Sequence, residues 1–357
     1  MRDRRAAVVG TLLPRVPGAW LRALAWASML ANALLVLTGG LVRLTGSGLG
    51  CPTWPRCTDA SWTNTPEMGI HGYIEFGNRL LTFVLAAVAV LTFLAAVRLR
   101  DRHRDLFTIT LVMGLGIPVQ AVLGGITVRT GLNPWVVGIH FMVSSVLIAL
   151  GAILVNRSRR ASLAAAAHSE RPGQVGAARG TVRVLGALLA VSAFLVVYLG
   201  TLVTGTGPHS GDSGEVARHT FDAYWVTRAH VVPVYLLVIG TVVALGLAVR
   251  TPWPRPVRVL LGVLLGLLLV QGAVGYYQYF TGLPVVAVAV HLVGAAALSA
   301  VTAMTVEKMY AVSAASVTGR AAGSDGFEGV AASDEEGSVG PAQQPAGSGA
   351  GEHHPRQ

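Results

Sequence analysis

The chain has 357 residues, 53% of them hydrophobic and only 12% charged, roughly half the charged fraction of an ordinary soluble domain. That composition excludes a water-soluble globular enzyme, and the lack of a triplet period among its 43 glycines and 17 prolines excludes a collagen-like chain. The net charge of +10 does not point to nucleic acid, because the arginines lie between apolar runs and form no compact basic domain.

Arg2, Arg4, Arg5 and Arg15 precede an apolar run, 23–42, that carries no charge. It is too long for the core of a cleaved signal peptide, and about 20 helical residues cross the hydrocarbon layer, so it reads as a retained first span. Further spans follow at about 72–97, 106–128, 134–156, 183–204, 224–249, 258–277 and 284–306. No charge occurs from Val259 to Val306, a stretch more than twice the bilayer thickness as one helix. It must turn back, and Gly282 and Pro284 mark the place.

Alternate connections are basic. Arg98, Arg100, Arg102 and Arg104 fill one, Arg157, Arg159, Arg160, Arg171, Arg179 and Arg183 the next, and Arg250, Arg255 and Arg258 the third. By the positive-inside rule these face the cytoplasm, as do both termini. The loop holding Cys51 and Cys57 then lies outside, where thiols meet oxidising conditions and a six-residue separation allows a disulfide. From about 311 the chain turns to Gly, Ala, Ser, Glu and Gln, the composition of a disordered tail.

The chain repeats itself. Gly39, Leu41, Val42, Thr45 and Gly46 recur as Gly200, Leu202, Val203, Thr206 and Gly207, and Val119, Gln120, Gly124, Gly131, Leu132 and His140 as Val270, Gln271, Gly275, Gly282, Leu283 and His291. Four spans fall in each half with the same orientation. The expected fold is therefore an all-α polytopic membrane protein of eight transmembrane helices, arranged as two tandem, parallel-repeat four-helix bundles. The expected parts are a cytoplasmic N-terminal segment 1–20, a first bundle 21–156 with an outer loop 44–71, a linker 157–182, a second bundle 183–308 and a tail 309–357.

Of ten histidines, His103, His168, His353 and His354 fall in cytoplasmic loops or the tail. His140, His230 and His291 lie six or seven residues into spans that start outside, and so share one depth. Ionisable groups inside a membrane are costly and mark function. Two imidazoles facing each other across a bundle hold haem iron, and His230 with His291 makes such a pair; the alternative is a pair of core histidines bonded to carbonyls. In the first half Asn78 takes the place of His230, so one ligand is missing beside His140. Glu75 lies one turn before Asn78 on the same face, as a partner for Arg79 or as a carboxylate for chemistry.

Gly-Gly-Leu-Val-Arg-Leu-Thr-Gly-Ser-Gly-Leu at 39–49, Cys-Pro-x-Trp-Pro-x-Cys at 51–57, Glu75-x-x-Asn78-Arg79, the Gln120 to His140 block and Gly-Thr-Gly-Pro-His-Ser-Gly-Asp at 205–212 together resemble the haem A synthase family of bacterial type. The resemblance covers about 20–310. It implies oxidation of a ring methyl of haem O to a formyl group, giving haem A for terminal oxidases, with water as oxygen donor. It also implies haem b as cofactor on His230 and His291, haem O as substrate with His140 as axial ligand, Glu75 as catalytic carboxylate, and Arg79 at a haem propionate. Asn78 departs from the family's second histidine, and His71 is the alternative ligand. The implied location is the cell membrane, and the implied partners are haem O, the synthase that makes it, an unidentified electron acceptor, lipid, and a second copy of the chain as an open alternative. The rival readings are a bis-haem electron-transfer cytochrome, which needs haems at both depths, and a transporter, which needs inverted repeats.

Overall fold

The computed structural model describes residues 13–14, 16–166, 179–209, 211–212, 214–251 and 253–324. Arg2, Arg4, Arg5, Arg15, Arg171, His168, His353, His354 and the expected tail from 325 onward lie outside the described residues. Among the described residues eight helices are long and apolar enough to cross a membrane. They are α1 (Ala19–Leu44), α2 (Gly69–Val97), α3 (Arg104–Arg129), α4 (Pro134–Ala166), α5 (Arg179–Thr206), α6 (Ala223–Arg250), α7 (Arg255–Phe280) and α8 (Val285–Ser324).

Local chemistry sets their ends. Proline starts α4, where its missing N–H costs nothing, and Asn133 Oδ1 accepts from the Trp135 N–H. Asp222 caps α6 by accepting from the N–H groups of Tyr224 and Trp225. The turns α3–α4 and α7–α8 are built alike. Gly131 and Gly282 have φ of 57° and 74°, followed by Leu132 and Leu283 at 59° and 62°. In each, the leucine N–H reaches back five residues, to Thr127 O at 2.8 Å and to Gln278 O at 2.9 Å, satisfying a carbonyl at the helix end. A leucine held left-handed costs about 1 kcal/mol or more, so the tight hairpin must offset it.

Several helices run past the expected spans. α4 continues from 156 to Ala166, and α8 continues through Ser324 into what reads from composition as a tail. At the α4 end the reason is visible. Glu307 on α8 is buried, pairs with Arg160 and with Arg157 at 3.5 Å, and accepts from Asn156 Nδ2 at 3.1 Å. The polar turn that a span count ends on is thus packed against α8.

α1 packs on α2, α2 on α3, α3 on α4 and α4 on α1, closing a ring; α5 packs on α6, α6 on α7, and α4 on α5. Leu21, Leu24, Leu106, Met113 and Leu154 fill the first ring. Leu185, Leu189, Leu237, Leu261, Leu264 and Leu298 fill a second core on α5 to α8. Met29 and Val36 of α1, Ile148 and Ala152 of α4, and Ala296 and Ala300 of α8 form a third cluster joining the two. In every helix the residues of the two large cores lie on the arginine-rich side of Gly39, Asn78, Gly124, His140, Gly200, His230, Gly275 and His291. Leucine fills one end of each group of four helices, and small or polar residues line the other.

Candidate functional site

Position along the helices brings the histidines level. His140, His230 and His291 come six, seven and six residues after the starts of α4, α6 and α8, which puts them about 9–11 Å from the loop end. Each faces a glycine on a neighbouring helix. A Cβ on Gly124 would lie 3.5 Å from His140 Cε1, one on Gly200 3.2 Å from His230 Cε1, and one on Gly275 3.7 Å from His291 Cε1. In the fourth such pair a Cβ on Gly39 would lie 3.8 Å from Asn78 Nδ2. A Cβ at Gly200 would crowd the ring and one at Gly124 or Gly275 would just touch it, so each imidazole lies directly against backbone that carries no side chain.

Nδ1 of His140, His230 and His291 is buried without a hydrogen-bond partner. Buried polar atoms are rarely left so, and an unmade bond costs about 1–3 kcal/mol. His230 and His291 also lie within electrostatic range of each other. Paired neutral imidazoles, glycine backbone beside them and unpartnered ring nitrogens are what a planar iron macrocycle needs, so these residues fit a haem. Asn78 differs. Its Oδ1 accepts from Thr38 Oγ1 at 2.8 Å, and an amide is a poor iron ligand. Gln120 Nε2 donates to His140 O at 3.1 Å and to Ser144 Oγ, fixing the α4 backbone at His140, while its Oε1 is buried and unpartnered.

Glu75 and Arg79 are drawn into the cysteine loop. Glu75 is 6% exposed. One carboxylate oxygen accepts from Arg79 Nη2 at 2.6 Å, and the other from the backbone N–H of Cys51. Arg79 also donates to the carbonyls of Cys51 and Thr53 at 3.0 Å and of Arg56 at 3.2 Å. Cys51 and Cys57 form a disulfide with Cα atoms 4.5 Å apart, and both are fully buried. Arg129 of α3 holds the same loop through Trp54 O at 2.8 Å, and the Trp54 indole lies where a Cβ on Gly125 would stand, 2.4 Å away.

His71 sits in the first turn of α2 with Nδ1 2.8 Å from Ser47 Oγ. It borders a cleft of about 340 Å³ with Met68 and Asp212. A larger cleft of about 480 Å³ runs over Trp54, Arg56 and Arg129. Both are grooves in the loop cap, and His140, His230 and His291 line neither.

Arg43, in the last turn of α1, received no role from the sequence. Its Nε donates to His209 O at 2.6 Å and its Nη2 to Thr204 O at 2.9 Å, so it bridges to the end of α5 and the loop beyond. In that loop His219 packs on Trp135, with ring centroids 4.5 Å apart. Burial first, and then the charge of Arg43, hold its pKa below the usual histidine value. The signal that could have singled out Arg43 is a lone arginine at the end of an apolar span, without a neighbouring acid.

Residues 22–208 match the family model of the COX15-CtaA cytochrome oxidase assembly proteins. The chain is 32% identical over 139 residues to the heme A synthase of Geobacillus kaustophilus, covering 38% of this chain and 43% of that one. It is 28% identical over 210 residues to the heme A synthase of Methylorubrum extorquens, covering 51% and 54%. With that of Bacillus pumilus it shares 34% over 125 residues, covering 34% and 39%. The chain thus spans about half or less of the length of the curated relatives it matches. Because the family match takes in more than half of the sequence, from α1 to the Gly-Thr-Gly segment at the end of α5, the chain belongs to the COX15-CtaA family of cytochrome oxidase assembly proteins.

Proposed function

We propose that this protein is a haem A synthase of the cell membrane, which oxidises one ring methyl of haem O to the formyl group of haem A. The observation that carries this reading is the set of three level histidines with unpartnered Nδ1 atoms beside glycines. The names of the relatives support the choice of reaction.

The two halves are read as parallel repeats, 21–156 and 183–308, joined by a cytoplasmic linker 157–182. The alike turns at Gly131-Leu132 and Gly282-Leu283 support this reading, as do the four glycine pairings at matching positions. Both termini are assigned to the cytoplasm on the arginine content of the connections.

In the second half His230 and His291 hold haem b, and in the first half His140 holds the substrate. Haem b, when bound, supplies a one-electron redox centre. With water as the oxygen donor, converting methyl to formyl releases four protons and four electrons, which pass to an acceptor the residues do not identify. Glu75, on the same face of α2 as Asn78, is the group for proton acceptance or for stabilising developing positive charge. Arg79 and the Cys51 N–H fix both its oxygens, and the carboxylate is buried against the disulfide loop. Arg79 is thereby a positioning residue for Glu75, its Nη1 and Nη2 being engaged by Glu75 and the loop carbonyls. Haem O, and therefore the enzyme that supplies it, are the partners this reading requires.

The test is the optical and paramagnetic-resonance spectrum of purified full-length chain. His230→Ala and His291→Ala should each abolish the low-spin haem b signal, because one imidazole leaves iron with an open position. An unchanged low-spin signal in both would overturn the assignment.

A further inference from the structure

We propose that Arg43 anchors a carboxylate of the macrocycle bound between His230 and His291, so that α1 of the first half completes the binding site of the second. This deepens the haem-binding reading above and rests on it. Arg43 lies one turn beyond Gly39 on the same face of α1, and its guanidinium reaches across to Thr204 O. Thr204 in turn lies one turn beyond Gly200, the glycine against His230. The guanidinium is therefore carried to the loop end of the second site, just past the level of the imidazoles.

Its surroundings lack an anion. Among the described residues no carboxylate comes within ion-pair distance of Arg43 or Arg218, although each lies within electrostatic range of the other. Asp212 in the same loop accepts instead from the Gly214 N–H at 2.9 Å. Two neighbouring cations, one of them half-buried at a helix end, are unfavourable unless a negative group joins them. Arg43 spends Nε and Nη2 on two carbonyls and has no described acceptor at Nη1, so one face of its fork stays open. A guanidinium held rigid by two bonds, with donors to spare, suits a carboxylate. The plain alternative is that Arg43 only caps the last carbonyls of α5 and ties the two halves together.

The rate at which purified full-length chain gives up haem to excess apomyoglobin separates the two, measured for haem b and for its dimethyl ester reloaded into the emptied chain. If Arg43 holds a carboxylate, wild type should release the ester roughly tenfold or more faster than the free acid, the factor expected for one charged hydrogen bond. Arg43→Met should release both at the same fast rate, and Arg43→Lys should keep most of the preference because it keeps the charge. A wild type that does not distinguish acid from ester overturns the anchor whatever the variants do. So does an Arg43→Met chain that distinguishes them as well as wild type, which leaves a clamp between halves or an adventitious lipid phosphate as the role of the cation. Failure of the haem reading looks different: wild type and His230→Ala would then release haem b at one rate.

Discussion

At Glu75 one side chain carries two duties. It is buried, it salt-bridges Arg79, and it receives the N–H of Cys51, so it is both a loop anchor and the proposed catalytic group. Glu75→Gln separates them, because the amide retains the shape and one acceptor while losing the charge. If the carboxylate handles protons, the variant should keep its haem O and its disulfide, while haem A formation falls by about 10²- to 10⁴-fold. Haem extraction with mass analysis reads this directly, and a hydroxymethyl intermediate in the extract would locate the block at the second oxidation. Wild-type yields of haem A would remove Glu75 from the chemistry. Loss of all bound haem would make it structural.

Among the elements, the cysteine loop departs furthest from what the sequence allows one to foresee. Eight spans are legible as long apolar runs with few or no charges, and the arginine connections separate them, because burying charge in lipid is costly enough to leave its mark on composition. The helix ends are less legible. Asn156, Arg157 and Arg160 read as a polar connection, and only the fold brings Glu307 to them from 147 to 151 positions away. The same holds for the site. Depth along a helix follows from counting, so the level histidines can be found, whereas the docking of Arg79 on the carbonyls of 51, 53 and 56 depends on a loop conformation that no periodicity encodes. Sidedness points to the disulfide but not to its complete burial. That burial has a consequence: a bulky phosphine should reduce Cys51–Cys57 in folded protein far more slowly than in denaturant, and alkylation of intact membranes should find no free thiol at either position. Cys51→Ser with Cys57→Ser should lower stability by roughly 2 kcal/mol for so short a ring, read as a lower midpoint of thermal unfolding. Fast reduction in the folded state would show that the loop opens readily. Unchanged haem A formation in the double variant would limit the bond to stapling.

Taken over the whole molecule, the proposed repeats are alike in backbone and unlike in ligands. In α5 to α8, His230 and His291 can occupy both faces of an iron, which suits a cofactor that stays while electrons pass through it. In α1 to α4, His140 lies against Gly124, while in the other glycine pair Gly39 meets Asn78, whose amide oxygen is already bonded to Thr38. His71 is held by Ser47 in the loop cap, two turns further out. One strong axial ligand in place of two makes retention weaker, and weaker ground-state binding suits a ring that arrives as substrate and leaves as product, since tight binding of substrate does not speed the step itself. Detergent washing should therefore empty the first half before the second. Asn78→His should slow the loss from the first half and slow product release with it, provided Thr38 yields the space; Thr38→Ala in the same chain relieves that constraint. Haem per chain is the measurement, taken after identical washes of wild type, His140→Ala and Asn78→His. If wild type keeps both haems equally and shows two bis-histidine signatures, a second histidine completes the first site, and Asn78 is not the residue that makes the halves differ.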